Sequence, residues 1–215
     1  MNKSIAWIHS LKNSQIPYCI YKISDKDSII LSNKYKNKNQ FIIILYGSLY
    51  ITKIFKNKQI QPIIILNENN IFHNNKNDNK FYYKLTALEK SYIISIKTNK
   101  IKISSQISYK LINNIIESYK KTFMTYQLIN EATNEKYIKN RVIKIILLLF
   151  SQFGIFNKKK VYLPFKISQK SLAIISGTNP KTISKIINQI RKKSSIFRSN
   201  KKLIYIENIF NLTVK

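Results

Sequence analysis

Between about residue 20 and residue 96 the apolar positions come in short runs, broken at close intervals by polar turn residues. Residues 41–46 and 48–55 are two such runs meeting at Gly47, which predicts two strands joined at a glycine bend or bulge. Asn57 and Lys58 predict a turn before a strand over 59–66. Residues 67–70 read as a loop, and 73–80, rich in Asn and Lys, as a polar loop. Residues 81–87 and 92–96 predict two more strands. Several short strands with frequent turn signals predict a small all-β barrel or jelly roll.

The period then changes. Ile112, Ile116, Tyr119, Phe123, Tyr126 and Asn130 fall alternately four and three residues apart, the spacing of a coiled-coil seam, and predict a helix over about 105–137. An ordinary amphipathic helix packed on its own barrel is one reading of this stripe. Its narrowness and length favour the other, a dimerisation helix in which Asn130 is a register-setting polar residue. A second helix is predicted over about 136–152; Val142 to Phe150 is apolar on nearly all sides, so it should be buried, and Phe153 and Gly154 end it. The whole is of the α+β class.

The most informative segment follows, from Phe165 to Lys193. Ser168 is placed to cap a short helix that turns Leu172 and Ile175 inward. Ala173 is small enough for close helix crossing, and Gly177 supplies a permissive backbone for a tight turn. Thr178 or Asn179 caps a second helix, with Pro180 in its first turn, where a missing N–H does no harm. Ile183, Ile186, Ile187 and Ile190 recur at i, i+3, i+4 and i+7 as a core stripe. The other face offers Lys181, Thr182, Ser184, Lys185, Asn188 and Gln189, groups suited to base edges and phosphates in a major groove. Beyond Arg191 to Lys193, the run Ile196-Phe197-Arg198, a turn at Ser199 to Lys202 and the run 203–206 read as a two-stranded wing with a basic tip at Arg198, Lys201 and Lys202. The candidate DNA-contacting set is Ser168, Gln169, Thr178, Asn179, Lys181, Thr182, Ser184, Lys185, Asn188, Arg198, Lys201 and Lys202. Two packed surface helices with a solvated basic face would share some of these features, but not all of them in this order.

Charge strengthens this picture through its placement. The 215 residues hold 38 Lys+Arg against 9 Asp+Glu, a net charge of +29, which suits a polyanionic partner. Ile, Asn and Lys are abundant and Gly is scarce, as AT-rich coding DNA favours, so compositional drift accounts for part of the total. The distribution says more: no acidic residue occurs between Glu135 and Glu207. A basic RNA-binding or ribosome-associated protein with a helix-turn-helix-like module remains the alternative reading. A nucleic-acid-processing enzyme would need a carboxylate cluster for metal, which nine scattered acidic residues do not offer. Residues 177–182 have some likeness to a phosphate-binding loop, yet Pro180 stands where that loop needs a glycine N–H. Cys19 is a lone cysteine, and His9 and His73 lack neighbours at metal-ligand spacing, so no disulfide, metal or iron–sulfur site is expected. Without a signal-like or membrane-spanning run, a soluble intracellular protein with no membrane partner is expected.

The order of parts resembles the cAMP receptor/FNR superfamily of bacterial regulators, and more closely the global nitrogen regulators of cyanobacteria and red-algal plastids. The matching stretches are Ile44 to Leu49 with Lys53, Leu66 to Phe72, Lys80 to Tyr83, Asn140 to Val142 with Leu147 to Phe150, Phe153-Gly154, and, most specific, Lys166 to Arg191. The resemblance implies a cyclic-nucleotide-binding-like β-barrel over 1–103, a dimerisation helix over 104–137 and a winged helix-turn-helix over 138–215. It implies a homodimer on a palindromic promoter, with half-sites about one helical turn apart, roughly 34–36 Å. RNA polymerase as a partner, the plastid stroma as location and nitrogen-related genes as targets are implied in the same way. The family's recognition helix has arginines where this chain has Pro180 and Lys185. Nitrogen regulators of the family respond to 2-oxoglutarate, which makes it the implied effector. The corresponding residues are Phe72, His73, Lys80, Lys121 and Glu131, with Thr122 the other position near the matching arginine. The Gly-Glu pair with which cAMP-binding members hold the ribose is absent, which argues against cAMP.

Overall fold

A computed structural model describes residues 3–31, 39–74, 80–103, 107–157, 160–193, 196–198 and 204–206. The chain divides into two compact units, Met1–Gln127 and Leu128–Lys215.

The first unit begins with helix α1 (Lys3–Asn13) and continues through β1 (Cys19–Ile23), β2 (Ser28–Leu31), β3 (Gln40–Tyr46), β4 (Leu49–Phe55), β5 (Ile60–Leu66), β6 (Ile71–Asn74), β7 (Phe81–Ala87) and β8 (Ser91–Lys97). The strands form two antiparallel four-stranded sheets, β1-β8-β3-β6 and β2-β7-β4-β5. Ile42, Ile44 and Ile93 of the first sheet meet Leu49, Ile51, Leu66 and Leu85 of the second in a core between them. Among the described residues no hydrogen-bonded ladder joins the sheets, so the expected barrel is corrected to an open two-sheet sandwich. Inward–outward alternation is the same in both architectures, so alternation alone does not separate them. The outer face of the first sheet is covered too: Ile43, Leu45, Ile94 and Ile96 pack with Trp7 and Leu11 of α1. A sheet covered on both faces has near-continuous apolar strands, which is why residues 42–45 are all buried.

Gly47 is the bend that the two apolar runs require. Its φ is +84°, and a Cβ there would stand 2.4 Å from Ser91 Oγ and 2.7 Å from the Lys90 carbonyl oxygen. A β-bulge between Ile44 and Tyr46 precedes it. His73 corrects the loop expected over 73–80: it lies on β6, paired with Phe41 of β3, while residues 75–79 fall outside the described residues.

Helices α2 (Thr98–Ile103) and α3 (Tyr109–Thr133) follow. The long helix is shorter than the 105–137 expected. One stripe of it is buried, with Leu111, Ser118, Thr125, Ile129 and Ala132. The Thr122 hydroxyl accepts from the Ile71 N–H at 2.9 Å and donates to the Ser118 carbonyl at 2.8 Å. The seam is different: Ile112, Ile116, Tyr119, Phe123 and Tyr126 are 37–60% exposed, and Asn130 is exposed beside them.

The second unit contains α4 (Ile138–Phe153), β9 (Ile155–Asn157), β10 (Lys160–Tyr162), α5 (Gln169–Ile175), α6 (Pro180–Lys193), β11 (Ile196–Arg198) and β12 (Ile204–Ile206). The strands make one antiparallel sheet, β11-β12-β10-β9. Helix α4 starts two residues later than expected and buries Val142, Ile145, Ile146, Leu148, Leu149 and Phe150. Gly154 ends it at φ −63°, so no left-handed conformation is involved. The constraint is space: a Cβ would lie 2.4 Å from the Phe150 carbonyl oxygen and 2.7 Å from Val161 Cγ1. Phe153 meets Phe165 edge-on, with ring centroids 5.2 Å apart. Among the described residues no helix is long and apolar enough to cross a membrane.

Candidate nucleic-acid interface

Helices α5 and α6 are set by their ends. Ser168 is the N-cap of α5, its hydroxyl accepting from the Ser171 N–H at 2.9 Å. At the other end the Thr178 N–H donates to the Ala173 carbonyl at 2.9 Å and the Gly177 N–H to the Ile174 carbonyl at 3.2 Å. That pair of bonds, with Gly177 at φ +62°, is the Schellman arrangement, which satisfies carbonyls otherwise orphaned at a helix end. Asn179 rather than Thr178 caps α6, its Oδ1 accepting from the Thr182 N–H at 2.8 Å. Pro180 then occupies the first helical position, as its missing donor allows.

One residue that fixes this turn was matched in the sequence only as part of a family stretch. Arg141 on α4 donates from Nη1 to the Ser176 carbonyl at 3.4 Å and from Nη2 to the Glu135 carbonyl at 2.9 Å. Its guanidinium ties α4 to the turn between α5 and α6. Glu135 also pairs with Lys144. Neither backbone carbonyl leaves a mark in the sequence, so only coordinates show this role.

The faces of α6 separate cleanly. Ile183, Ile186 and Ile190 are buried and Ile187 half-buried, while Leu172, Ala173 and Ile175 of α5 are buried as well. Each fully buried isoleucine contributes roughly 1.5–3 kcal/mol, so the stripe holds the helix against the unit. Lys181, Lys185, Asn188 and Gln189 are exposed, and Thr182 and Ser184 partly so. At 100° per residue Lys181, Ser184, Lys185 and Asn188 cluster on the side away from the isoleucines, flanked by Thr182 and Gln189. Gln169 and Thr178 are partly exposed near the two helix starts. The hydroxyl of Ser168 and the carboxamide oxygen of Asn179 are occupied as caps, so these two residues fix the starts of α5 and α6. Where a wing was expected, β11 and β12 pair antiparallel, Arg198 opposite Ile204. Lys201 and Lys202 lie outside the described residues.

The residues matched to an effector site do not converge in the same way. Phe72 packs into the core between the sheets, edge-on to Tyr83 with centroids 5.1 Å apart. Its neighbour His73 faces the other side and stacks on Phe41 at 4.4 Å, with Nε2 3.4 Å from Thr98 Oγ1. Burial holds the His73 imidazole below its ordinary pKa and raises that of the Tyr83 phenol. Phe41 in turn meets Tyr119 edge-on, and burial pushes that phenol up to about 12. Lys80 is exposed, its carbonyl accepting from the Lys56 N–H at 3.2 Å. Lys121 donates to the Glu68 carbonyl at 2.6 Å and lines a cleft of about 330 Å³ with Trp7, Asn69, Asn114 and Glu117. Glu131 is exposed near the end of α3. Among the described residues no group of three or more His, Cys, Asp or Glu is placed to hold a metal.

The two-sheet sandwich, long helix and capped helix pair make up the fold of a class of bacterial transcription regulators. That class is the CRP/FNR family, and the chain has its fold. A "Putative HTH-type transcriptional regulator ycf28" of Porphyra purpurea is 27% identical over 210 residues, covering 92% of this chain and 82% of that protein. A cyclic nucleotide-binding domain containing protein of Listeria monocytogenes superposes with a TM-score of 0.73 at 15% identity, over 96% of this chain and 98% of that one. A transcriptional regulator of the CRP family from Thermus thermophilus does so with a TM-score of 0.68 at 10% identity, over 88% and 93%. No family model matches the chain. The superfamily resemblance read from the sequence is thus met by the fold; these likenesses do not single out the nitrogen regulators within it.

Proposed function

We propose that this protein is a sequence-specific DNA-binding transcription regulator, acting as a homodimer on a palindromic site. In this reading residues 138–215 are a winged helix-turn-helix, α6 is its recognition helix and the β11–β12 hairpin its wing. Residues 104–137 are the dimerisation helix, and 1–103 a sensor-like domain whose effector, if retained, is 2-oxoglutarate. A plastid setting and nitrogen-related targets are the further parts of the proposal; the similarity to the Porphyra purpurea regulator supports the setting.

The observation that carries the reading is the division of α6. Its isoleucine side is buried while Lys181, Lys185 and Asn188 face solvent together. Such a helix is anchored by one face and presents cations and an amide on the other, which is what major-groove reading needs. The exposed apolar seam of α3 supports the homodimer, since a monomer gains nothing by leaving Ile112, Ile116, Phe123 and Tyr126 in water along one stripe.

The test is Lys181→Ala combined with Lys185→Ala in the full chain. Sequence preference for a selected duplex is expected to disappear, leaving weak binding that is indifferent to sequence. Retained preference would mean that another element reads the bases.

A further inference from the structure

We infer that this chain's half-sites are built mainly of A·T pairs and that Asn188, seated in the groove by Lys181 and Lys185, fixes an adenine in each. The inference rests on α6 entering the major groove, as proposed above. The side of α6 away from Ile183, Ile186 and Ile190 carries ammonium, hydroxyl and carboxamide groups only: Lys181, Thr182, Ser184, Lys185, Asn188 and Gln189. The helix has no carboxylate, and its first guanidinium is Arg191, in its last turn. The chain has no acidic residue anywhere between Glu135 and Glu207, so neither the turn nor the wing hairpin supplies one.

The four base edges ask for different partners in the major groove. Cytosine presents an amino donor and is best met by a carboxylate. Guanine presents two acceptors, matched by the planar fork of arginine and less well by a single ammonium. Adenine presents one acceptor and one donor, the complement of a carboxamide. Thymine presents one acceptor and a methyl group, which an ammonium and a threonine methyl satisfy. The groups on α6 therefore complement A·T pairs at more positions than G·C pairs. Of the two asparagines at this helix, Asn179 spends its oxygen on the Thr182 N–H. Asn188 is exposed on the outer face, one stripe with Lys181 and Lys185 at i, i+4 and i+7. Its carboxamide can form two bonds to one adenine, and it lies on the centre of the outer face, whereas Gln189, the other exposed carboxamide, lies at the flank.

Selection of bound duplexes from a random pool by the full-length chain, followed by competition at fixed salt, tests this. The parent protein is expected to enrich half-sites that are mostly A·T. Asn188→Ala should erase the preference at one symmetric pair of positions, a loss of about 5- to 150-fold in discrimination there, with the salt dependence unchanged. Asn188→Gln, which keeps a carboxamide, should retain adenine at that position, and Asn188→Asp should move it toward cytosine. Parent half-sites dominated by fixed G·C pairs, or an unchanged preference in Asn188→Ala, would overturn the inference while leaving the regulator reading intact. Failure to prefer any duplex over shuffled DNA and RNA would overturn both.

Discussion

Replacing Gly177 by alanine perturbs the turn between α5 and α6 in a way whose cost the structure resolves into parts. The position has φ +62°, where a Cβ costs about 1–2 kcal/mol. Crowding adds little, because the nearest atom to that Cβ is Arg141 Nη1 at 3.7 Å, an ordinary contact. Alanine also stiffens the unfolded chain, which offsets about 0.4–1 kcal/mol. The net loss is about 1 kcal/mol, roughly a fivefold rise in local opening. Gly177→Asn should cost less, since asparagine tolerates the left-handed region. Gly154→Ala should cost more, about 1–3 kcal/mol, although its φ of −63° is unstrained, because its Cβ would press on the Phe150 carbonyl and Val161. Peptide-resolved amide hydrogen exchange over α4 to α6 reads all three as local opening rates. The predicted order of damage is Gly154→Ala, then Gly177→Ala, then Gly177→Asn. Gly177→Ala exchanging like the parent, or Gly177→Asn as damaging as Gly177→Ala, would contradict a left-handed residue closing the α5–α6 turn.

Phe123→Glu with Tyr126→Glu places charge in the α3 seam and should weaken self-association at least about a hundredfold, seen as monomer by light scattering at micromolar concentration; an unchanged mass would remove the seam from the interface. Ser168→Ala leaves the Ser171 N–H without its cap and should destabilise α5 by about 1 kcal/mol, whereas Ser168→Gly costs a few tenths; equal effects would contradict the cap. The lowered pKa of His73 means that the unfolded chain takes up its proton first as pH falls. The stability contributed by the neutral ring is full above the ordinary histidine pKa and is lost as pH falls through it toward the folded value. Denaturant unfolding followed from about pH 7.5 to about pH 5.5 should therefore show a loss that His73→Phe reduces; the same slope in both proteins would contradict the burial of His73.

Much of this was legible in periodicity. Runs split at Gly47 gave strands β3 and β4, and the four-and-three spacing gave α3 together with the side it leaves exposed. The helix pair was legible because its signals are local: Ser168, Gly177 and Pro180 each act on their own turn. Features set by distant partners were not. Helix α1 rests on Trp7 and Leu11, an i, i+4 pair too sparse to stand out before the sheet they cover is known. His73 and Asn74 look like loop residues, yet the pairing of β6 with β3 places them in a sheet. Once Phe72 and His73 share a strand, their side chains face opposite sides of the sheet, which adjacency in sequence alone does not reveal. Arg141 acts through backbone carbonyls, which have no sequence signature.

On the proposed reading this basic chain holds duplex DNA in a sequence-dependent way through α6. The decisive quantity is the affinity of the full-length protein for a selected palindromic duplex, a shuffled duplex and an RNA of equal length, each across a salt series. Steep salt dependence is expected for all three, as phosphate contacts require, with the palindrome bound more tightly at every salt concentration. Equal affinity for the three at each salt concentration would contradict it.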